Sequence, residues 1–319
     1  MLDLGAVVQA LHVPSRDGST TAVVLGAADL SGYLRKHDDF YGAVVGRFAN
    51  RIAAGRFSLN GIDYQLVPND GPHTLHSGPD GFHRRLWTAQ YVDSTRIELS
   101  LTSPDGDQGF PGELAVTVTY DVRDDAVHIR YQATTTAPTV VNLTNHAHFN
   151  LDGEGAGSIE NHTLQVAADS YLPIGADLIP VGEIAPVEGT PFDFREPRRL
   201  AGAIHSDHRQ VTLAGGIDHT FVLARDRQRP AVVLESSDRR RQLAVFTDQP
   251  SVQVYTCNAF DGTHVGPAGR SYERHAGVAL ETQTFPNAPN VHRPDWPNAT
   301  LMPGERYDTT TIWRFTSLD

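Results

Sequence analysis

Two histidines, His146 and His148, stand one residue apart in Asn142-Leu-Thr-Asn-His-Ala-His-Phe-Asn-Leu151. In an extended segment alternate side chains share a face, so both imidazoles point the same way. Metal ligation, proton transfer and ordinary packing compete to explain such a pair. Packing accounts well for single histidines in alternating runs, such as His12, His128 and His162. It accounts less well for a segment that also carries Asn142, Asn145 and Asn150, whose amides on a strand need partners that sugar hydroxyls could supply.

Proton transfer needs a second group of complementary character. The apolar run Gly277-Val-Ala-Leu280 places Glu281 at the end of a buried strand, where a carboxylate requires a reason. Gly216-Ile-Asp-His-Thr-Phe221 does the same for Asp218 beside His219. Each alone reads as a structural residue, such as an Asp capping a turn; together they favour acid–base chemistry. A cupin-like metal site would use His146 and His148 with Glu154, but there the glutamate lies closer to the second histidine and a glycine leads the pair, where this chain has Val140 and Val141. Lys36 is the only lysine, which leaves Schiff-base chemistry little to work with, whereas histidine has 15 copies. Cys257, the single cysteine, excludes a disulfide framework and reads as packing.

The elements that position these groups are strands. Leu114-Ala-Val-Thr-Val-Thr-Tyr-Asp-Val122 alternates, Arg123-Asp-Asp125 turns, and Ala126-Val-His-Ile-Arg-Tyr131 returns, which predicts a hairpin. Similar runs recur at 96–101, 231–234, 242–247 and 251–256, and no segment carries a long amphipathic helical period. With 28 glycines and 20 prolines punctuating 319 residues, the pattern predicts an all-β fold, a large antiparallel β-sandwich or barrel in one domain spanning 1–319. Gly153-Glu-Gly-Ala-Gly157 and Asp105-Gly-Asp-Gln-Gly109 read as turns, not as nucleotide or calcium loops, because neither has the flanking helix. Arg239-Arg-Arg241 reads as a hairpin tip. A net charge of −12 argues against nucleic acid or an anionic membrane as partner. Met1-Leu-Asp-Leu-Gly5 lacks the basic lead of a secretory signal, which predicts a cytoplasmic protein.

Seven stretches in order, "GRFANRI" (Gly46–Ile52), "LHSGPDGFHRRLW" (Leu75–Trp87), "SPDGDQGFPG" (Ser103–Gly112), "NLTNHAHFNL", "GIDHTFVL" (Gly216–Leu223), "VQVYTCNAFDG" (Val252–Gly262) and "LETQTFPNAPN" (Leu280–Asn290), resemble the motifs of the aldose 1-epimerase (galactose mutarotase) family nearly end to end. The resemblance implies a galactose mutarotase-like supersandwich and interconversion of the α and β anomers of free hexoses of the galactose and glucose type, with no cofactor or metal. It makes Glu281 the general base and His146 the general acid, and it assigns Asn50, Arg51, His76, His148, Asp218 and Gln253 to sugar binding. His148 stands where the family has tyrosine and is expected to hydrogen-bond the sugar in its place. Ser77 replaces a glycine, and Asn258-Ala-Phe-Asp-Gly262 replaces "NFLDG". Asp218 is expected to favour the imidazolium form of His146. Two other readings are a phosphorylated-sugar specialist using Arg84 and Arg85, and a non-catalytic carbohydrate-binding module.

Overall fold

The computed structural model describes residues 1–15, 18–35, 39–224, 226 and 228–318, with the side chain of Arg35 excepted; Lys36 with His37 and Asp38 lies outside the described residues. The predicted hairpin forms as the paired strands Leu114–Arg123 and Ala126–Thr135. They sit in a nine-stranded sheet between Arg96–Ser103 on one side and the long strand Tyr307–Ser317 on the other. Arg239 and Arg240 lie in the turn joining Val232–Glu235 to Arg241–Thr247 of the same sheet, with Arg241 opening the second strand. A second sheet has six strands in the order His148–Phe149, Val278–Gln283, Ser251–Tyr255, Asp218–Val222, Ser170–Leu172 and Ala185–Pro186. All pairings in both sheets are antiparallel. The helices are short, and among the described residues none is long and apolar enough to cross a membrane.

The period of two decides which chemistry faces where. Val278 and Leu280 join the apolar cluster shared by both sheets, with Val252, Val254 and Phe221 from neighbouring strands, and Phe149 meets Trp313 edge to face at 5.1 Å. Thr282 on the same row reaches Thr311 of the nine-stranded sheet at 2.5 Å. The alternate residues Glu281, Gln253, Tyr255, Asp218 and Thr220 must then point to the other face of the six-stranded sheet. There, loops in place of a third sheet bury them. Val278–Gln283 is accordingly buried at every position, which is why its sequence reads as apolar rather than alternating.

One of those loops is anchored by Arg47, which is 1% exposed. Its terminal nitrogens donate to the carbonyls of Pro111 (2.9 Å), Gly112 (2.7 Å), Ser103 (3.1 Å) and Pro104 (3.1 Å) and to Ser103 Oγ (2.6 Å). Burial pushes its pKa down to about 10, so it stays charged at neutral pH and needs these acceptors. The interaction fastens Phe48–Arg51 to the turn at 103–112. Three asparagines do similar work in place of the sugar contact expected for them. Asn142 donates to Ala49 O (3.1 Å), Asn145 to Gly42 O (2.8 Å), and Asn150 to Ala276 O (2.9 Å). Arg47→Met should lower stability to urea by about 3–5 kcal/mol, because it strands several buried carbonyls; a loss under about 1 kcal/mol would show that the carbonyls find other partners.

Candidate active site

The loops and the outer face of the six-stranded sheet enclose a cavity of about 310 Å³, at the small end of small-molecule sites. Asn50 and His76 both adopt left-handed backbone conformations there (φ 64° and 50°), uncommon outside glycine but tolerated better by asparagine and histidine than by most residues. A reciprocal pair of hydrogen bonds holds them: His76 N–H donates to Asn50 O (3.1 Å) and Asn50 N–H donates to His76 Nδ1 (3.1 Å). Asn50 Oδ1 also accepts the N–H of Arg51 (2.8 Å). Ser77 is left-handed too (φ 71°), a conformation that glycine adopts most readily, and its hydroxyl bonds both Phe48 N–H and Phe48 O.

That Asn50 contact fixes the chemistry of His76. An Nδ1 that accepts an N–H leaves the proton of the neutral ring on Nε2, and burial, followed by the charges of His146, His83 and Arg51, holds the pKa well below its ordinary value. His76 is therefore a neutral hydrogen-bond donor. The ligand atoms of His76, His146 and Glu281 lie within 4.8 Å of one another and could in principle hold a metal. With Nδ1 engaged and Nε2 protonated, His76 has no lone pair to give, so the set fits a hydroxyl-bearing ligand better than an ion. The cupin-like set does not assemble either, because Glu154 accepts from the Tyr272 hydroxyl and from Ala268 N–H (3.1 Å).

His146 Nε2 lies 3.4 Å from Glu281 Oε1, with both side chains almost fully buried. The distance exceeds a formed hydrogen bond, so neither group is committed to the other. Burial pushes Glu281 well above the usual carboxylate range; Asp218 pushes it further and Arg51 opposes. Burial pushes His146 down to about 4. The empty site thus favours a protonated carboxyl beside a neutral imidazole, with one proton for two groups. The expectation that Asp218 stabilises an imidazolium is corrected: its charge acts on Glu281, and Asp218 is itself raised by burial.

Asn50, Arg51, His76, His146, Asp218 and Glu281 all line the cavity. Gln253 stands one step back, directly opposite Glu281 in the sheet, donating from Nε2 to Asp218 Oδ1 (2.6 Å) and accepting from the Thr220 hydroxyl. His148 is not on the wall. It shares a side with His146, as alternation predicts, with ring centroids 4.8 Å apart, but it lies behind that ring among Tyr41, Tyr255 and Phe260. It is fully buried, burial keeps it neutral, and among the described residues neither ring nitrogen has a hydrogen-bond partner. The expected sugar contact from His148 is replaced by packing against the proposed acid. Arg84 and Arg85 turn to Pro79 O and to Asp80 and Asp107, away from the cavity.

Sequence reasoning missed Phe40, Tyr255 and Leu178 on the wall and Asp70 behind it. Tyr255 lies two residues beyond Gln253 on one strand, so alternation could have found it. Phe40 packs on His76 (4.5 Å) and His146 (5.4 Å) from a loop with no period to read.

On the acid side, a pair sharing one proton stays in that state until a second proton charges His146. Because its pKa is depressed, the ring remains neutral at every pH above about 4. The acid side of the kcat/KM profile should therefore run level through the ordinary histidine value near 6.5 and fall as pH drops toward about 4, while a separate alkaline limb marks loss of the shared proton from Glu281, whose pKa burial raises; circular dichroism checks the fold at each point. A decline centred near 6.5 would mean that the ring is solvated.

The chain matches the sequence profile of the family described as Aldose 1-epimerase over residues 1–314. It is 45% identical over 316 residues to a galactose mutarotase of Sus scrofa, covering 99% of this chain and 90% of that protein. It is 39% identical over 323 residues to an aldose 1-epimerase of Escherichia coli strain K12, covering 99% and 91%. An aldose epimerase homologue from C. elegans has the same fold, with a TM-score of 0.89 at 28% identity and coverage of 99% and 94%. Sequence similarity along nearly the whole chain and a shared fold give one conclusion: this protein belongs to the aldose 1-epimerase family of isomerases, which interconvert the anomers of aldoses.

Proposed function

We propose that Glu281 and His146 carry out anomer interconversion on a neutral aldopyranose of the galactose or glucose type. The observation that supports this reading is their 3.4 Å separation. The two oxygens that must exchange protons, the C1 hydroxyl and the ring oxygen, are both bonded to C1, so an acid and a base can serve them only by converging on one carbon. Glu281 as carboxylate takes the hydroxyl proton while His146 as imidazolium gives its proton to the ring oxygen. The C1 to ring-oxygen bond breaks and the C1 carbonyl forms. Rotation about C1–C2 presents the other carbonyl face, and the groups reverse roles to close the ring.

Starting this cycle requires the single proton to move from Glu281 to His146. Sugar hydroxyls donating to the carboxylate favour its charged form, and Arg51 favours it in the same sense. Asp218, held by Gln253, offers a fixed acceptor for sugar hydroxyls, and His76 Nε2–H a fixed donor. The cavity wall carries Asp39, Asp218 and Glu281 against Arg51, which is already paired with Asp70. That balance disfavours a phosphorylated sugar. A non-catalytic binder has no need of a buried acid–base pair. The single buried thiol of Cys257 is compatible with a cytoplasmic setting.

Polarimetry of freshly dissolved α-galactose and α-glucose tests the assignment. Glu281→Gln should lower kcat by about 10²–10⁴-fold with KM little changed, the range general acid–base catalysis supplies. Undiminished turnover in that variant would remove Glu281 from the mechanism.

A further inference from the structure

Two irregular pieces of the cavity wall depend on one four-residue turn. Asp70-Gly-Pro-His73 closes on itself through Asp70 N–H to His73 O (3.1 Å) and His73 N–H to Asp70 O (2.9 Å). On one side the Asp70 carboxylate accepts from Arg51 Nε at 2.7 Å. A grip at Nε leaves both terminal amino groups of the guanidinium uncommitted to Asp70, and Arg51, not Asp70, lines the cavity.

The other side of the turn holds a loop. His73 Nδ1 accepts the N–H of Ala54 (3.0 Å), so the neutral ring carries its proton on Nε2, which lies 3.5 Å from the Asp177 carboxylate. Asp177 belongs to the loop between Ile174 and Pro180, which pair with each other as an isolated bridge. Gln210 fixes the base of that loop, donating to Ile174 O (2.9 Å) and accepting from Ile174 N–H (2.7 Å). Leu178 follows Asp177, adopts φ 61°, and lines the cavity. A bulky residue in that conformation persists only where its surroundings over-determine it, and here the loop is held at its base and again beside its tip.

We propose that the Asp70–His73 turn is a positioning clamp for sugar binding: Asp70 orients the Arg51 guanidinium, and His73 holds the loop that delivers Leu178. Neither Asp70 nor His73 touches the sugar. A long arginine side chain loses conformational entropy when it is fixed on a ligand, and a partner that fixes it beforehand removes part of that cost from binding. The clamp rests on the reading of the cavity as an aldose site.

Asp70→Asn keeps the shape and an acceptor oxygen but loses the charge; Asp177→Asn does the same on the loop side. The parent and both variants are compared by polarimetry with α-galactose, by calorimetric titration of galactose binding, and by thermal melting. Asp70→Asn should raise KM and Kd about tenfold, with kcat within about threefold of the parent. Asp177→Asn, whose pair is more exposed, should shift both constants in the same direction by about twofold to threefold, and both melting temperatures should match the parent within a few degrees. Unchanged Kd in Asp70→Asn, or a fall in kcat and melting temperature at constant KM, would overturn the clamp. A parent that binds galactose without catalysing mutarotation would overturn the functional reading alone, leaving the clamp to be judged on Kd; a parent that binds no aldose would overturn both.

Discussion

An imidazole and a carboxyl group held 3.4 Å apart, with both side chains almost fully buried, constrain everything else in this protein. At an effective dielectric constant near 20, an ion pair at that distance gains roughly 5 kcal/mol of attraction. Removing two ions from water costs several kcal/mol each, so the neutral arrangement prevails in the empty cavity, but by a margin of only a few kcal/mol. Hydrogen bonds to charged groups contribute about 1.5–3 kcal/mol apiece, so two or three sugar hydroxyls are enough to reverse the order. The pair is thereby poised to change its proton arrangement when a polyhydroxylated ligand arrives, and to return when it leaves.

The fold meets this constraint by turning a sandwich inside out at one place. The face of the six-stranded sheet toward the nine-stranded sheet forms an ordinary apolar core. The opposite face carries a row of polar side chains that would be satisfied by water on most antiparallel sheets. Here loops cover that row, and its groups satisfy one another: Thr220 donates to Gln253, and Gln253 to Asp218. Among the described residues, Glu281 at the cavity is left with an uncommitted carboxyl oxygen, Oε2, and its neighbour His146 with an uncommitted Nδ1, and Gln283 further along the strand also has an unpartnered amide. Arg47 bears part of the cost of holding such loops, since it substitutes a buried cation for the backbone hydrogen bonds that irregular segments cannot give one another.

The all-β antiparallel character was legible from alternation, which left sandwich and barrel both open, because the central strands of the nine-stranded sheet are long and mostly half-buried. Glu281 was legible for the opposite reason: a carboxylate ending an apolar run must be explained by something other than a solvated face. His146 and His148 were correctly placed on one side, yet a period of two cannot say which of two neighbours reaches a cavity and which lies behind it. Only packing decides that, and Tyr41, Tyr255 and Phe260 enclose His148. Asn142, Asn145 and Asn150 looked like sugar ligands because composition does not distinguish an amide that binds a ligand from one that ties loops together. Phe40, Asp70 and Leu178 come from turns whose place in space depends on contacts distant in sequence, and no local pattern announces them. The proton arrangement of the empty site was not legible in the sequence, because burial, which sets it, is a property of the whole fold.

Infrared spectroscopy of the sugar-free protein at neutral pH, with ¹³C-labelled glutamate and Glu281→Gln as the difference partner, reads the proton directly. A protonated-carboxyl band present in the parent and absent from the variant is what a buried, uncharged pair requires. A difference spectrum holding only carboxylate bands would mean that Glu281 is ionised before any sugar arrives, and that water or a counter-charge, rather than burial, governs this site.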